Sequence, residues 1–200
     1  MKKGKKKNSN LKKIEEVLIK VGLRIARRGE GALFVVGDAQ YKPLVKQSVE
    51  PFLITQNEKL LESLALIDGA VIISKSGKMK AYGAMIKSTK TIKGFGTRHS
   101  AAISASEKAD LVIVISEEDR KVKIIKNGKM LMQLDALQKN VEEGVSQTVN
   151  LLESLGAGTI GTIGTSLLVP GLGITLLPGV IVFGSAYYLT RVITRKFNGR

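Results

Sequence analysis

Leu111-Val-Ile-Val-Ile-Ser116, followed at once by Glu117-Glu118-Asp119, is the passage that decides the fold. A short unbroken apolar run closed by a hydroxyl and three acids reads as a buried strand ending at a polar turn. The same pattern occurs at Ala32-Leu-Phe-Val-Val36, stopped by Gly37-Asp38, and Ile67 to Ser74 reads as another strand. Met79 to Ile86 returns from the Ser76-Gly77-Lys78 turn as a hairpin partner. Val122 to Ile125 pairs with the 111–116 strand or with a neighbour, and Asn127-Gly128 behind it is a tight-turn signal.

Between these strands the period changes. Leu11, Ile14, Val17, Leu18, Val21 and Ile25 recur at three- and four-residue spacing, which predicts a helix with Asn10 as its N-cap. Arg27-Arg28-Gly29 reads as its C-terminus, cations in the last turn and Gly beyond. Asn57 to Leu66 and Thr97 to Ala109 have helical composition. Residues 131–153 read as one amphipathic helix through Leu131, Leu134, Leu137, Val141, Val145, Val149 and Leu152. Strands and helices therefore alternate, and the expected fold class is α/β, a mixed β-sheet flanked by helices. No internal repeat is visible.

Composition narrows the chemistry. Of 200 residues, 44% are hydrophobic and 24% charged, a balance that excludes wholesale disorder. The absence of Cys removes disulfides, thiol catalysis and thiolate metal sites, and one His, His99, excludes a multi-histidine site. The formal net charge is +15, and its location matters more than its size. Residues 1–13 carry seven Lys and no acid; residues 191–200 carry Arg191, Arg195, Lys196 and Arg200 and no acid. Eleven of the fifteen excess charges thus sit at the two ends, around a nearly neutral middle.

The expected organisation is a basic flexible tail over 1–13, an α/β domain over 14–153, a membrane segment over 154–190 and a second basic tail over 191–200. Residues 154–190 are 37 consecutive residues without a charge, with eight Gly, Pro170 and Pro178. One span needs about 20 apolar residues, so this Gly-rich stretch fits one span or two short arms turning near Pro170-Gly171. The competing reading is a Gly-rich tail packed on its own domain. Gly158, Gly161 and Gly164 would permit close helix–helix approach.

Three clusters carry polar chemistry. Asp68-Gly69-Ala70 stands before a buried strand, where a carboxylate needs a partner such as a metal or a hydroxyl. Alone, it reads as a helix-to-strand turn. Gly94-Phe95-Gly96-Thr97-Arg98-His99-Ser100 runs from a loop into a helix start. There free N–H groups, the helix dipole, a hydroxyl, a guanidinium and an imidazole converge, a collection suited to polyphosphate. Alone, Thr97 would be an N-cap and His99 a core residue. Ser116-Glu117-Glu118-Asp119 closes a strand, and strand ends in α/β sheets are where ligands bind.

Taken together and in order, these clusters resemble the diadenylate cyclase (DAC) domain family, which condenses two ATP into cyclic di-AMP. The family carries Asp-Gly-Ala and, about thirty residues on, Arg-His-Arg in a Gly-Thr-Arg-His context; here these read Asp68-Gly69-Ala70 and Gly96-Thr97-Arg98-His99-Ser100. Ser116-Glu117-Glu118 follows after an apolar strand. The resemblance covers about residues 30–130, and Ser100 stands where the family usually has its second Arg.

The resemblance implies two domains meeting face to face, each 3′-hydroxyl attacking the α-phosphate held by the other copy. It implies that Asp68 holds Mg²⁺ or Mn²⁺ and helps deprotonate the 3′-hydroxyl, and that Glu118 assists the metal. Gly69 would let backbone approach the nucleotide, and adenine would lie near Met85. Thr97, Arg98, His99 and Ser116 would bind phosphate, with Ala70, Gly96 and Ser100 completing the nucleotide-binding set. Asp68, Arg98 and His99 form the expected catalytic group. Lys90, Lys93 or Lys108 could compensate for the missing Arg. ATP is cytoplasmic, so the expected place is the cytoplasmic face of the cell membrane.

Two other readings compete. A membrane-tethered nucleotide or cyclic di-AMP binding protein without catalysis would keep the fold, and Ser100 is its sequence support. A nucleic-acid-binding protein is prompted by a pI near 10.0. Aromatics are only 4%, however, with no basic-aromatic interleaving for base stacking. Charge at the ends beside an apolar segment suits an anionic membrane face better.

Overall fold

The continuous apolar strands are explained by cover on both faces. In the computed structural model the described residues are 2–87, 97–157, 160–161, 167–169, 174–176 and 181–182. The elements run α1 (Lys2–Arg27), β1 (Ala32–Gly37), β2 (Tyr41–Pro43), α2 (Glu58–Ala65), β3 (Ala70–Ile73), β4 (Met79–Ile86) and α3 (Thr97–Ser106). There follow β5 (Ala109–Ser116), β6 (Lys121–Lys126), β7 (Lys129–Asp135), α4 (Val145–Ala157), β8 (Ile160–Gly161), β9 (Leu167–Val169), β10 (Ile174–Leu176) and β11 (Ile181–Val182). Among the described residues the main sheet has nine strands in the order β2-β4-β3-β1-β5-β6-β7-β10-β9, and β8 pairs with β11 apart from it. β1 and β3 are parallel and the other pairings antiparallel, so the sheet is mixed and the class α/β.

Side chains alternate between two cores. Phe34, Val36, Val71, Ile73, Ile113 and Ile115 pack beneath α1, α2 and α4. Leu33, Val35, Ala70, Ile72, Val112 and Val114 face the other way, toward α3. The seam of α1 is fully buried at Ile14, Leu18, Val21 and Ile25. Each such side chain contributes about 1.5–3 kcal/mol. A Cβ at Gly22 would lie 3.3 Å from Ile115 Cγ1 and 3.4 Å from Val122 Cγ1, so α1 sits close on β5 and β6. Asn57 caps α2, its side chain accepting from the Leu60 N–H at 3.2 Å.

Two expectations are corrected, the start of the first helix and the helix over 131–153. The first helix starts at Lys2, not after Asn10, so the described part of the basic stretch 1–13 belongs to α1. Lysine has good helix propensity and does not stop the helix running backwards. Asn10 instead donates from Nδ2 to the Ser76 carbonyl at 3.3 Å, fastening α1 to the β3–β4 turn.

The 131–153 helix is in fact a strand, a series of turns and a shorter helix, α4. Asn127 (φ 52°) and Gly128 (φ 71°) are both left-handed, as a two-residue hairpin turn requires. That turn folds β7 back on β6, with Val122 opposite Leu134 and Ile124 opposite Met132. Leu137, expected on the apolar helix face, is 61% exposed.

The described parts of 154–190 beyond α4 are the short strands β8–β11, and β10 extends the main sheet against β7. Among the described residues no helix is long and apolar enough to cross a membrane. The turn at Pro170-Gly171 and the basic end 191–200 lie outside the described residues.

Candidate functional site

Strand direction gathers the three polar clusters at one end of the sheet. β1 runs parallel to β3 and antiparallel to β5, so the starts of β1 and β3 share an edge with the end of β5. β4 is antiparallel to β3, with Ala70 opposite Ala84, which brings Met85 and Ile86 to the same edge. Asp68 and Gly69 precede β3, Ser116 ends β5, and α3 begins at Thr97 on the face of Leu33 and Val114. Between them lies an open cavity of about 700 Å³. Asp68, Gly69, Ala70, Met85, Thr97, Arg98, His99, Ser116 and Glu118 all line it.

The cavity wall has apolar and charged parts. Ala70 and Ala84 leave room by their small size, while Met85 (47% exposed) and Leu44 (50% exposed) present large apolar surfaces. Such a slot accepts a flat ring. Among the described residues the wall also carries four carboxylates, Asp68, Glu117, Glu118 and Asp119, and the cations Arg98 and Lys123.

Gly69 has φ +109°, and a Cβ there would stand 2.7 Å from Ala84 N and Gly83 C. The glycine therefore serves the close seating of β3 on β4. Arg98 lies in front of Gly31, where a Cβ would overlap its Nη1 and come within 3.0 Å of its Cζ. Arg98 Nη1 is 3.8 Å from Glu117 Oε2.

His99, half-buried, meets Lys123 Nζ at 3.1 Å from its Nε2. Lys123 Nζ is also 2.9 Å from Asp119 Oδ2. Burial, and then the Lys123 cation, hold the His99 imidazole below its ordinary pKa despite the pull of Asp119 and Glu118. A neutral ring accepting at Nε2 from an ammonium carries its proton on Nδ1. Burial raises the Asp119 carboxyl, but hydrogen bonds from Ser116 and Lys123 outweigh it and leave Asp119 below the usual range.

Two expected nucleotide contacts fare differently. Ser100 is only 5% exposed, on α3, and is absent from the cavity wall. Arg98 and His99, its neighbours in the first turn of α3, do line the cavity. Gly96 lies outside the described residues, as do Lys90 and Lys93. Lys108 is exposed and away from the cavity.

The sequence pattern did not single out Lys123 or Gly31, and it gave Asp119 only as part of the acidic strand end. One signal was available for Lys123. It lies between Val122 and Ile124-Ile125, in the middle of a strand whose other lysines, Lys121 and Lys126, stand at its two ends.

No group of three or more His, Asp or Glu able to hold a metal occurs among the described residues. Asp68 and Glu118 nevertheless supply hard oxygen donors to one cavity. That donor set fits Mg²⁺ or Mn²⁺, ions that take one or two carboxylates and complete their shell with phosphate and water. A helix start, a guanidinium, an ammonium and a ring slot together can seat a phosphorylated aromatic compound.

The family model described as DisA bacterial checkpoint controller nucleotide-binding (DAC) matches residues 22–130. A diadenylate cyclase of Haloferax volcanii is 35% identical over 146 residues, which cover 62% of this chain and 52% of that protein. A diadenylate cyclase of Methanocaldococcus jannaschii is 32% identical over 148 residues, covering 65% and 47% respectively. The crystal structure of a double mutant of DacA from Staphylococcus aureus aligns with TM-score 0.43 at 24% identity, over 59% of this chain and 84% of that one. The chain thus spans about half the length of the curated relatives it matches.

Proposed function

Because the chain belongs to the DAC family, we propose that it is a diadenylate cyclase that condenses two ATP into cyclic di-AMP. The observation that carries this reading is the convergence of Asp68, Arg98, His99 and Ser116 on one cavity with an apolar slot beside it.

The adenine lies against Met85 and the triphosphate runs toward the start of α3. Arg98, Thr97 and Ser116 hold phosphate oxygens, and His99 donates from Nδ1. Asp68 accepts the proton of the ribose 3′-hydroxyl. Each 3′-oxygen forms a bond to the α-phosphorus held by a second copy of the domain. The α–β phosphoanhydride bond breaks and pyrophosphate leaves with the bond's electron pair. Two such transfers close the ring. Asp68 and Glu118 would hold Mg²⁺ or Mn²⁺, which supplies neutralisation of phosphate charge. The remaining contribution of the protein is alignment of two bound nucleotides, so no strong nucleophilic side chain is needed.

The test is incubation of the full chain with ATP and Mn²⁺, with cyclic di-AMP sought by mass spectrometry. Wild type should form it, and Asp68→Asn should be folded and at least about a hundredfold slower, since the proton acceptor is gone. Nucleotide binding without product would favour the non-catalytic binding protein, and full activity in Asp68→Asn would falsify the role of Asp68.

The uncharged stretch 154–190 and the basic ends also support a seat at an anionic membrane surface. The full chain should then sediment with vesicles containing anionic lipid and not with neutral ones. Equal recovery with both would remove this part of the reading.

A further inference from the structure

We propose that Lys123 is the second phosphate-binding cation of this site, taking the part that the family pattern gives to the Arg missing at position 100. The inference rests on the diadenylate cyclase reading and extends it to a residue outside the family's motifs.

Among the described residues four carboxylates and two side-chain cations line the cavity, so a triphosphate entering it draws on both cations as well as the divalent ion. Position 100 cannot supply one, because Ser100 is buried in α3 and off the wall. Lys108 is off the wall too. Lys123 is on it, and it is 8% exposed, an unusual setting for a lysine on a strand.

The setting is built. Lys123 rises from β6 on the face of Val114, beneath the start of α3. Asp119 at 2.9 Å and His99 Nε2 at 3.1 Å fix its Nζ. An ammonium has three N–H donors, so two such bonds leave one for an incoming anion. The pair with Asp119 holds the charge in a partly dry place while nucleotide is absent. A bound phosphate then meets a cation already positioned, with little rotamer freedom left to lose. The contact with His99 adds a second effect, since it keeps the imidazole proton on the nitrogen facing away from Lys123.

The experiment measures binding of 3′-deoxy-ATP with Mg²⁺, which cannot react, and of 3′-deoxyadenosine, which has no phosphate. Lys123→Gln and Lys123→Met should weaken 3′-deoxy-ATP about tenfold to a hundredfold, the range for one charge-assisted hydrogen bond. They should leave 3′-deoxyadenosine within about threefold, and Lys123→Arg should stay near wild type for both. Lys108→Met is the control of a lost surface cation and should change neither. Removal of one partner of a buried pair can unfold a protein, so Lys123→Met with Asp119→Leu removes both charges and is read in the same way. Wild-type affinity for 3′-deoxy-ATP in the Gln, Met and paired variants overturns the proposal. Equal losses for both ligands overturn it as well, since the effect would not lie at the phosphates. A wild-type chain that binds neither ligand overturns the nucleotide reading itself, an outcome distinct from the other two.

Discussion

Replacing Gly69 by Ala tests whether the Asp68-Gly69-Ala70 corner is fixed by the sheet rather than by a ligand. The residue has φ +109°, a region that L side chains rarely adopt. Holding Ala there costs about 1–3 kcal/mol. The new Cβ would also meet Ala84 N and Gly83 C at 2.7 Å and Ala84 O at 3.0 Å. These are backbone atoms of a paired strand, with Ala84 opposite Ala70, and cannot turn aside as a side-chain tip can. Overpacking of this kind costs a further 1–3 kcal/mol or so. The sum is about 2–6 kcal/mol, a large share of the 5–15 kcal/mol or so of an ordinary domain.

Gly128→Ala is the matched comparison. Its φ is +71°, but the nearest atom to a Cβ there is Glu107 Cγ at 3.6 Å, so strain acts without a clash. It should lose only about 1–2 kcal/mol. Urea unfolding followed by far-UV circular dichroism gives both losses by linear extrapolation. If Gly69→Ala loses no more than Gly128→Ala, the close seating of β3 on β4 is not what this glycine provides.

Two further substitutions probe other contacts. Gly31→Ala should push the Arg98 guanidinium from its place beside Glu117, weakening ATP binding about tenfold while costing little stability; unchanged affinity would show that Arg98 needs no such space. Glu15 is 5% exposed, its Oε2 has no hydrogen-bond partner, and burial pushes its pKa up to about 7 from 4.5. Its folded pKa is raised, so its contribution is present below about pH 4.5 and is lost as pH rises through about 7. Glu15→Gln should therefore stabilise the protein by about 3 kcal/mol at pH 8 and far less at pH 5, and equal effects at the two pH values would refute the assignment.

Much of this protein is local and was therefore written in the sequence. The apolar runs at 32–36 and 111–116 became β1 and β5 because a strand covered on both faces needs no alternation. Asn127-Gly128 turned where two left-handed residues are needed. The motif residues Asp68, Arg98, His99, Ser116 and Glu118 could be named from their order along the chain, and all reach one cavity.

What tertiary structure alone decided is long-range pairing. Leu131, Met132 and Leu134 have apolar spacing that suits a helix, and pairing with β6 makes them a strand. The strand order β3-β1-β5-β6 places Lys123 of one strand beneath His99 of a helix 24 residues away, next to Asp119 from the turn between. In the sequence Lys123 is one more lysine among 32 basic residues. Only the register that sets it opposite Val114 gives its charge a buried seat in the site, because which side of a sheet a residue faces is set by its partner strand.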